Sequence, residues 1–275
     1  MINKILTAEP VIEGAGVKLK RVFGFYEKGE LDPFLLFDHF GSPNPNDYLQ
    51  GFPWHPHRGM ETVTYMLEGS VEHADSLGNK GVINNGDVQW MTAGSGIIHQ
   101  EMPLNYNGEM QGFQLWVNLP KKLKMTKPKY RDILSEQIPI INMNENVKVK
   151  LISGEYLNKK GAVTDLGIEI FYLDVNIENA DVFEYEINSE YTVFAYVYEG
   201  DAMFFDSKSV IDKNQMALFN KGNQIKVTTT NSVKFLLIGG KPLNEPIAWQ
   251  GPIVMNTQEE LQQAFVEYRN GTFIK

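Results

Sequence analysis

"ETVTYMLEGSVEHAD", residues 61–75, alternates apolar and polar side chains on both sides of a Glu-Gly-Ser turn. In an extended chain, side chains two apart share a face, so each half reads as a half-buried strand and the whole as a hairpin. Working outward, the pattern returns in "KLKRVFGF" (18–25), "DVQWMTAGSGIIHQEM" (87–102), "EIFYLDVNI" (169–177), "YTVFAYVYEGDAMFF" (191–205) and "VKFLLIGG" (233–240). Turn signals such as "SLGN", "NNGD" and "NKGN" separate these runs. Short strands at such spacing predict an all-β sandwich or barrel.

A faint internal repeat sets the domain count. "TYMLEGSVEHADS" (64–76) aligns with "AYVYEGDAMFFDS" (195–207) at an offset of 131, and "KGVINNGDVQWMTAG" (80–94) with "KSVIDKNQMALFNKG" (208–222) at 128. The expectation is two similar β-barrels, 1–130 and 143–275, joined by a short linker around 125–142 that holds a helical turn or two. The exception to the strand pattern is "NTQEELQQAFVEYRNG" (256–271). Asn256 or Thr257 suits an N-cap, Glu259 or Glu260 the answering carboxylate, and Leu261, Ala264, Phe265 and Tyr268 recur at helical spacing before Gly271. One C-terminal α-helix is expected, counted with the second barrel.

The bulk numbers narrow the function classes. Of 275 residues, 43% are hydrophobic, enough for a substantial core. A net charge of −9 argues against direct nucleic-acid contact and against an anionic membrane. "KKLKMTKPKYR" (121–131) is a local basic run and reads as a solvated connector. With no cysteine, thiolate metal sites and disulfides are excluded. No segment is apolar for long enough to act as a signal peptide or to span a bilayer, so a soluble, cytoplasmic protein is expected. A monomer is the expected state.

The chemistry concentrates in two short motifs. "HPH" (55–57) and "HQE" (99–101) each place two side chains on one face of a strand. If their strands are neighbours, His55, His57, His99 and Glu101 converge as three imidazoles and one carboxylate. Such a set suits a divalent first-row metal and leaves two positions open on an octahedral ion. Glu61 is in strand phase with His55 and offers an alternative fourth ligand. The "RGM" between them invites a bend, which would leave Glu61 behind the ligands, orienting an imidazole. His39 and His73 have no comparable partner and read as structural or surface histidines. Carried across the repeat, the four ligand positions fall on Glu186, Asn188, Val227 and Thr229, and no histidine follows residue 99. The second barrel is expected to be metal-free.

"HPHRGMETVTYMLEGSVEHADSLGN" followed by "NNGDVQWMTAGSGIIHQEMP" resembles the pirin family of the cupin superfamily. "DPFLLFDHF" (32–40) and the segment 242–271 resemble pirin sequence as well, so the likeness covers nearly the whole chain and is poorest over 140–240. The resemblance implies two cupin jelly-roll barrels with Fe(2+) or another divalent metal in the first. Its ligands would be His55, His57, His99 and Glu101, favouring Glu101 over Glu61. Mn, Co, Ni, Cu and Zn suit the same donors. It further implies a quercetin 2,3-dioxygenase-like activity that opens a flavonol with O2 and releases carbon monoxide; for such a reaction Glu101, loosened from the ion, is the expected general base on chemical grounds. Some family members are described as transcriptional co-regulators. That gives a second expectation: a metal- or redox-sensing binding protein acting through a protein partner. A cupin isomerase or sugar-binding protein is a third. Around the site, Phe52, Trp54, Met91 and Phe113 are candidate walls, and Arg58 could meet an anionic substrate or pair with a carboxylate.

Overall fold

The computed structural model describes residues 1–104, 108–205 and 209–275. Antiparallel strands dominate, as the alternation predicts, and the chain divides into two compact units. One comprises Glu9–Ser135 with Leu243–Lys275, and the other comprises Met1–Ala8 with Glu136–Pro242.

Among the described residues, the first unit holds a seven-stranded sheet ordered Lys129–Ile133, Val88–Thr92, Met60–Glu68, Met110–Asn118, Phe34–Ser42, Val17–Phe23 and Glu9–Glu13. Its four-stranded sheet runs Phe52–His57, Ile97–Pro103, Val71–Asp75 and Lys80–Ile83. Among the described residues, the second unit is built on a ten-stranded sheet whose interior is a cluster of buried side chains, including Leu151, Leu173, Val197, Phe204 and Phe235.

The tail differs from expectation. The helix Gln258–Arg269 groups with the first unit, not the second. It is capped by Thr257, whose Oγ1 accepts from the Glu260 amide while Glu260 answers the Thr257 amide. Leu261, Ala264 and Phe273 pack against Ala248, Ile253 and Met255 of the preceding ribbon, with Ile98 alongside. Arg58 fixes the arrangement by donating to Glu267 at 2.7 Å and to the Phe273 carbonyl at 2.7 Å. Conversely, Ile2–Thr7 adds a strand to the second unit by pairing with Gln215–Phe219. Both exchanges are long-range pairings that local periodicity does not encode. The 125–142 segment holds one of the expected helical turns, the 3-10 helix Ser135–Gln137, set between the strands Lys129–Ile133 and Ile140–Asn142.

The repeat is carried by strand register. Thr64 pairs with Gln89 and Tyr65 with Val88; adding 131 and 128 gives Ala195 with Ala217 and Tyr196 with Met216, which are the observed pairs. Gly69 and Gly200, also 131 apart, both have positive φ (88° and 73°), which glycine adopts without strain; the first lies between two strands and the second just past a register shift within one. Asp206, Ser207 and Lys208 of the repeat lie outside the described residues.

Candidate metal centre

Phe52–His57 is the edge strand of the four-stranded sheet, the place where Pro53 and Pro56 cost no ladder hydrogen bond on the open side. It runs antiparallel to Ile97–Pro103 and sets His55 directly opposite His99 and His57 opposite Ile97. The three imidazoles therefore meet. His55 Nε2 lies 3.1 Å from His57 Nε2 and 3.0 Å from His99 Nε2, and one donor atom from each ring falls within 4.8 Å of the others. His57 and His99 are buried and His55 is half-buried. Trp116 stands edge-on to His57 with ring centroids 5.2 Å apart.

The local hydrogen bonds show what this cluster can hold. His55 Nδ1 lies 2.8 Å from the Pro53 carbonyl, an acceptor only, so Nδ1 carries the proton and Nε2 presents a lone pair. A single in-plane lone pair cannot take two in-line N–H donors, yet two imidazole nitrogens approach it. Burial lowers the pKa of all three rings. Mutual repulsion adds to this for His57 and His99, so neutral imidazoles face one another. Three neutral nitrogens converging on one point are the donor set a divalent cation requires.

Glu101, two residues beyond His99 on the same strand, is buried but stands outside the three-histidine set. A register irregularity between His99 and Glu101 brings Glu101 opposite Phe52. Its Oε1 lies 3.2 Å from Thr64 Oγ1, which is also 2.7 Å from Gln114 Oε1. One hydroxyl proton cannot serve two acceptors. Either Glu101 carries a proton and donates to Thr64, or the Gln114 amide is turned so that its NH2 donates. Burial raises the Glu101 pKa to about 7, which makes the first arrangement accessible near neutrality.

A cavity of about 680 Å³ in the first unit opens onto His55, His57 and Glu101, within the range of small-molecule sites. Of the expected walls, Phe52 lines it. Trp54 is half exposed to solvent, Met91 packs with Ala93 and Ile97, and Phe113 stacks on Phe37 at 5.8 Å. Strand parity explains the miss: on Met110–Asn118 the even positions Gln114 and Trp116 face the cavity, so Phe113 faces away. Leu36, Phe25 and Trp249 add to the apolar wall and were not singled out by the sequence, because the segments that carry them become neighbours only in the fold. Glu61 accepts from Trp90 Nε1 at 2.7 Å and Thr92 Oγ1 at 2.6 Å. Arg58 follows the carboxylate alternative, its guanidinium lying over the Phe273 ring as well as on Glu267. His39 packs against Phe113 and His73 stacks on Tyr130, both buried. Gly59 of "HPHRG" has φ +75°, and a Cβ there would overlap the Val254 carbonyl.

Among the described residues the second unit has no counterpart. His55 and His99 face each other in the first unit, and the pair at the same place in the second is Phe183 with Val227. His57 opposite Ile97 becomes Tyr185 opposite Ile225. The expected equivalents Glu186 and Asn188 are thus displaced by three positions, because the longer connection before Thr192 falls after this strand. Phe183, Tyr185 and Val227 belong to the packed core.

Two cupin barrels, one with a three-histidine centre beside a cavity and one filled by apolar side chains, define a two-barrel cupin protein with a single candidate metal site among the described residues. The chain belongs to the pirin family: the Pirin family model matches residues 16–117 and the Pirin C-terminal cupin domain model residues 172–274. A pirin-like protein of Caulobacter vibrioides is 41% identical over 99% of this chain and 98% of its own length. Among solved structures, quercetin 2,3-dioxygenase from Acinetobacter baumannii superposes with a TM-score of 0.93 at 34% identity, covering 99% of this chain and 97% of that one. The bacterial pirin YhhW of Escherichia coli, solved in complex with nickel(II), shares the fold at TM-score 0.69 and 20% identity, covering 88% and 99%. Among the described residues no helix is long and apolar enough to cross a membrane.

Proposed function

We propose that this chain is a metal-dependent dioxygenase that opens a flavonol or a similar enediol-type aromatic with O2. In this reading His55, His57 and His99 hold the metal, and Glu101 serves as fourth ligand and proton acceptor. The observation that carries it is the convergence of three neutral imidazoles, with Nε2 atoms at 3.0 and 3.1 Å, beside a cavity that His55 and His57 line. The resemblance to a quercetin 2,3-dioxygenase over nearly the full chain supports the substrate class.

A bound divalent ion, for which we favour Fe(2+), would supply Lewis acidity and a meeting point for a substrate hydroxyl oxygen and O2. The remaining work falls to the chain. His55 is fixed in orientation by the Pro53 carbonyl, as metal-binding imidazoles usually are by their second nitrogen. Glu101 would leave Thr64 to reach the ion, and its carboxylate would take the substrate hydroxyl proton. A pKa raised by burial to about 7 matches a base working near neutral pH. Trp116, Trp249 and Leu36 form apolar walls that would hold a flat ring and keep water out.

The test is loss of the quercetin visible absorbance by iron-loaded protein under air and under argon. The reading predicts loss with equimolar O2 consumption under air alone. Metal binding without any turnover would overturn it and favour the regulatory alternative.

A further inference from the structure

The histidine centre uses one end of the cavity. At the other, Arg21 donates through Nε to Asp38 Oδ1 at 2.9 Å, through Nη2 to Asp38 Oδ2 at 2.8 Å, and through Nη1 to Glu13 Oε1 at 2.7 Å. Arg21, Asp38 and Glu13 all line the cavity. Asp38 is 5% exposed, a carboxylate almost wholly removed from water on a wall that also carries Phe25, Leu36, Phe40 and Trp249. A packed apolar core would dispense with such a pair, since well-fitted hydrophobic residues are often as stable.

Register ties this cluster to the centre. Thr64 is opposite Gln114, Gln114 opposite Asp38, and Asp38 opposite Arg21, on four consecutive strands of the seven-stranded sheet. The four side chains form one lateral polar row across the cavity floor. Thr64 holds Glu101 at its near end. With strands about 4.8 Å apart, Asp38 lies roughly 10 Å from Thr64 along the row, the reach of a small fused aromatic.

The chemistry of the far end selects its partner. Lys18 also lines the cavity but is paired with Asp47 at 2.8 Å, so the far end carries no surplus positive charge to draw an anion. Each Asp38 oxygen receives one bond from Arg21 and keeps a lone-pair direction for another donor. Two guanidinium N–H groups remain beyond the three bonds described, able to donate to an oxygen. A neutral hydroxyl, which both donates and accepts, meets both demands.

We propose that Arg21, Asp38 and Glu13 form a second recognition site in the cavity, one that binds an uncharged hydroxyl group on the end of the substrate remote from the histidines. The protein would therefore select flat aromatics hydroxylated at their distal end over unsubstituted or carboxylated ones. This rests on the histidine centre being where the substrate's chelating end binds.

Binding is read without turnover, by quenching of protein fluorescence, since Trp116 and Trp249 line the cavity. Quercetin is compared with 3-hydroxyflavone, which keeps the chelating end and lacks the distal hydroxyls. Wild type should prefer quercetin by about tenfold or more, the worth of a hydrogen bond to a charged group. The paired replacement Arg21→Met with Asp38→Leu should reduce that preference to less than about twofold while leaving 3-hydroxyflavone binding within a similar factor. Asp38→Asn, which preserves shape, should give an intermediate preference and guards against misfolding of the double variant. An unchanged preference in either variant, no preference in wild type, or no binding of either compound overturns the proposal. Selective binding without O2 consumption would leave it standing and remove the dioxygenase reading instead.

Discussion

His99 lies directly across a strand pair from His55, and their Nε2 atoms are 3.0 Å apart with the His55 lone pair facing inward. The His55 lone pair can accept an N–H from only one of the two rings that approach it, and a cation at the centre would relieve that crowding. Adding Fe(2+), Mn(2+) or Ni(2+) to metal-free protein should therefore raise its melting temperature. At a hundredfold excess over the dissociation constant the gain is about 2.7 kcal/mol, or roughly 5 °C or more. His57→Ala should abolish the shift, as scanning calorimetry with and without metal would show.

Glu101 makes the stability of the metal-free protein depend on pH. Burial raises its pKa from 4.5 to about 7 in the fold. The contribution of a raised acid is complete below the unfolded value and is lost as pH rises through the folded one. Glu101→Gln removes that loss, so the variant should exceed wild type by about 2–3 kcal/mol at pH 8 and match it near pH 4. The imidazoles act in the opposite sense: pushed below 6.5, they favour the fold above that pH and withdraw support as pH falls. Urea unfolding of both proteins across pH 4–8 separates the two.

Arg58 and Glu267 hold the C-terminal helix on the metal-binding unit at 2.7 Å. Burial alone would raise the Glu267 pKa, but the bonds from Arg58 and Lys275 outweigh it and bring it to about 2. This support is present above the usual carboxylate pKa of 4.5 and disappears as pH falls through about 2. Glu267→Gln should cost about 3 kcal/mol at pH 7, because it leaves a buried guanidinium short of its partner. Limited proteolysis should then release the tail first.

Lys124, within the basic run read as a solvated connector, is 2% exposed. Its Nζ donates to the Gly59 carbonyl, Asn118 Oδ1 and the Val254 carbonyl at 2.8, 2.7 and 2.9 Å. Lys124→Met should cost about 2–4 kcal/mol in denaturant unfolding, by stranding acceptors that water cannot reach. The neighbouring Lys122→Met, on an exposed side chain, should change little.

Strand parity alone put His55 beside His57 and His99 beside Glu101, because side-chain direction in a strand is a local property. The repeat was equally legible, its two offsets reappearing as strand pairs. What was hidden depends on which strands become neighbours. Asp38 and Gln114 face each other across a pairing between residues far apart in sequence, so the polar row and the walls Trp116 and Trp249 could not be assembled in advance. The tail was hidden for the same reason: its amphipathic face was readable, but the surface it covers was not.

The most direct measurement pairs metal content with O2 uptake on quercetin, in the same anaerobically iron-loaded samples of wild type, His99→Ala and Glu101→Gln. The account predicts one metal per chain and O2 uptake in wild type, loss of both in His99→Ala, and retained metal without uptake in Glu101→Gln. Full metal occupancy in His99→Ala, or undiminished uptake in Glu101→Gln, would contradict it.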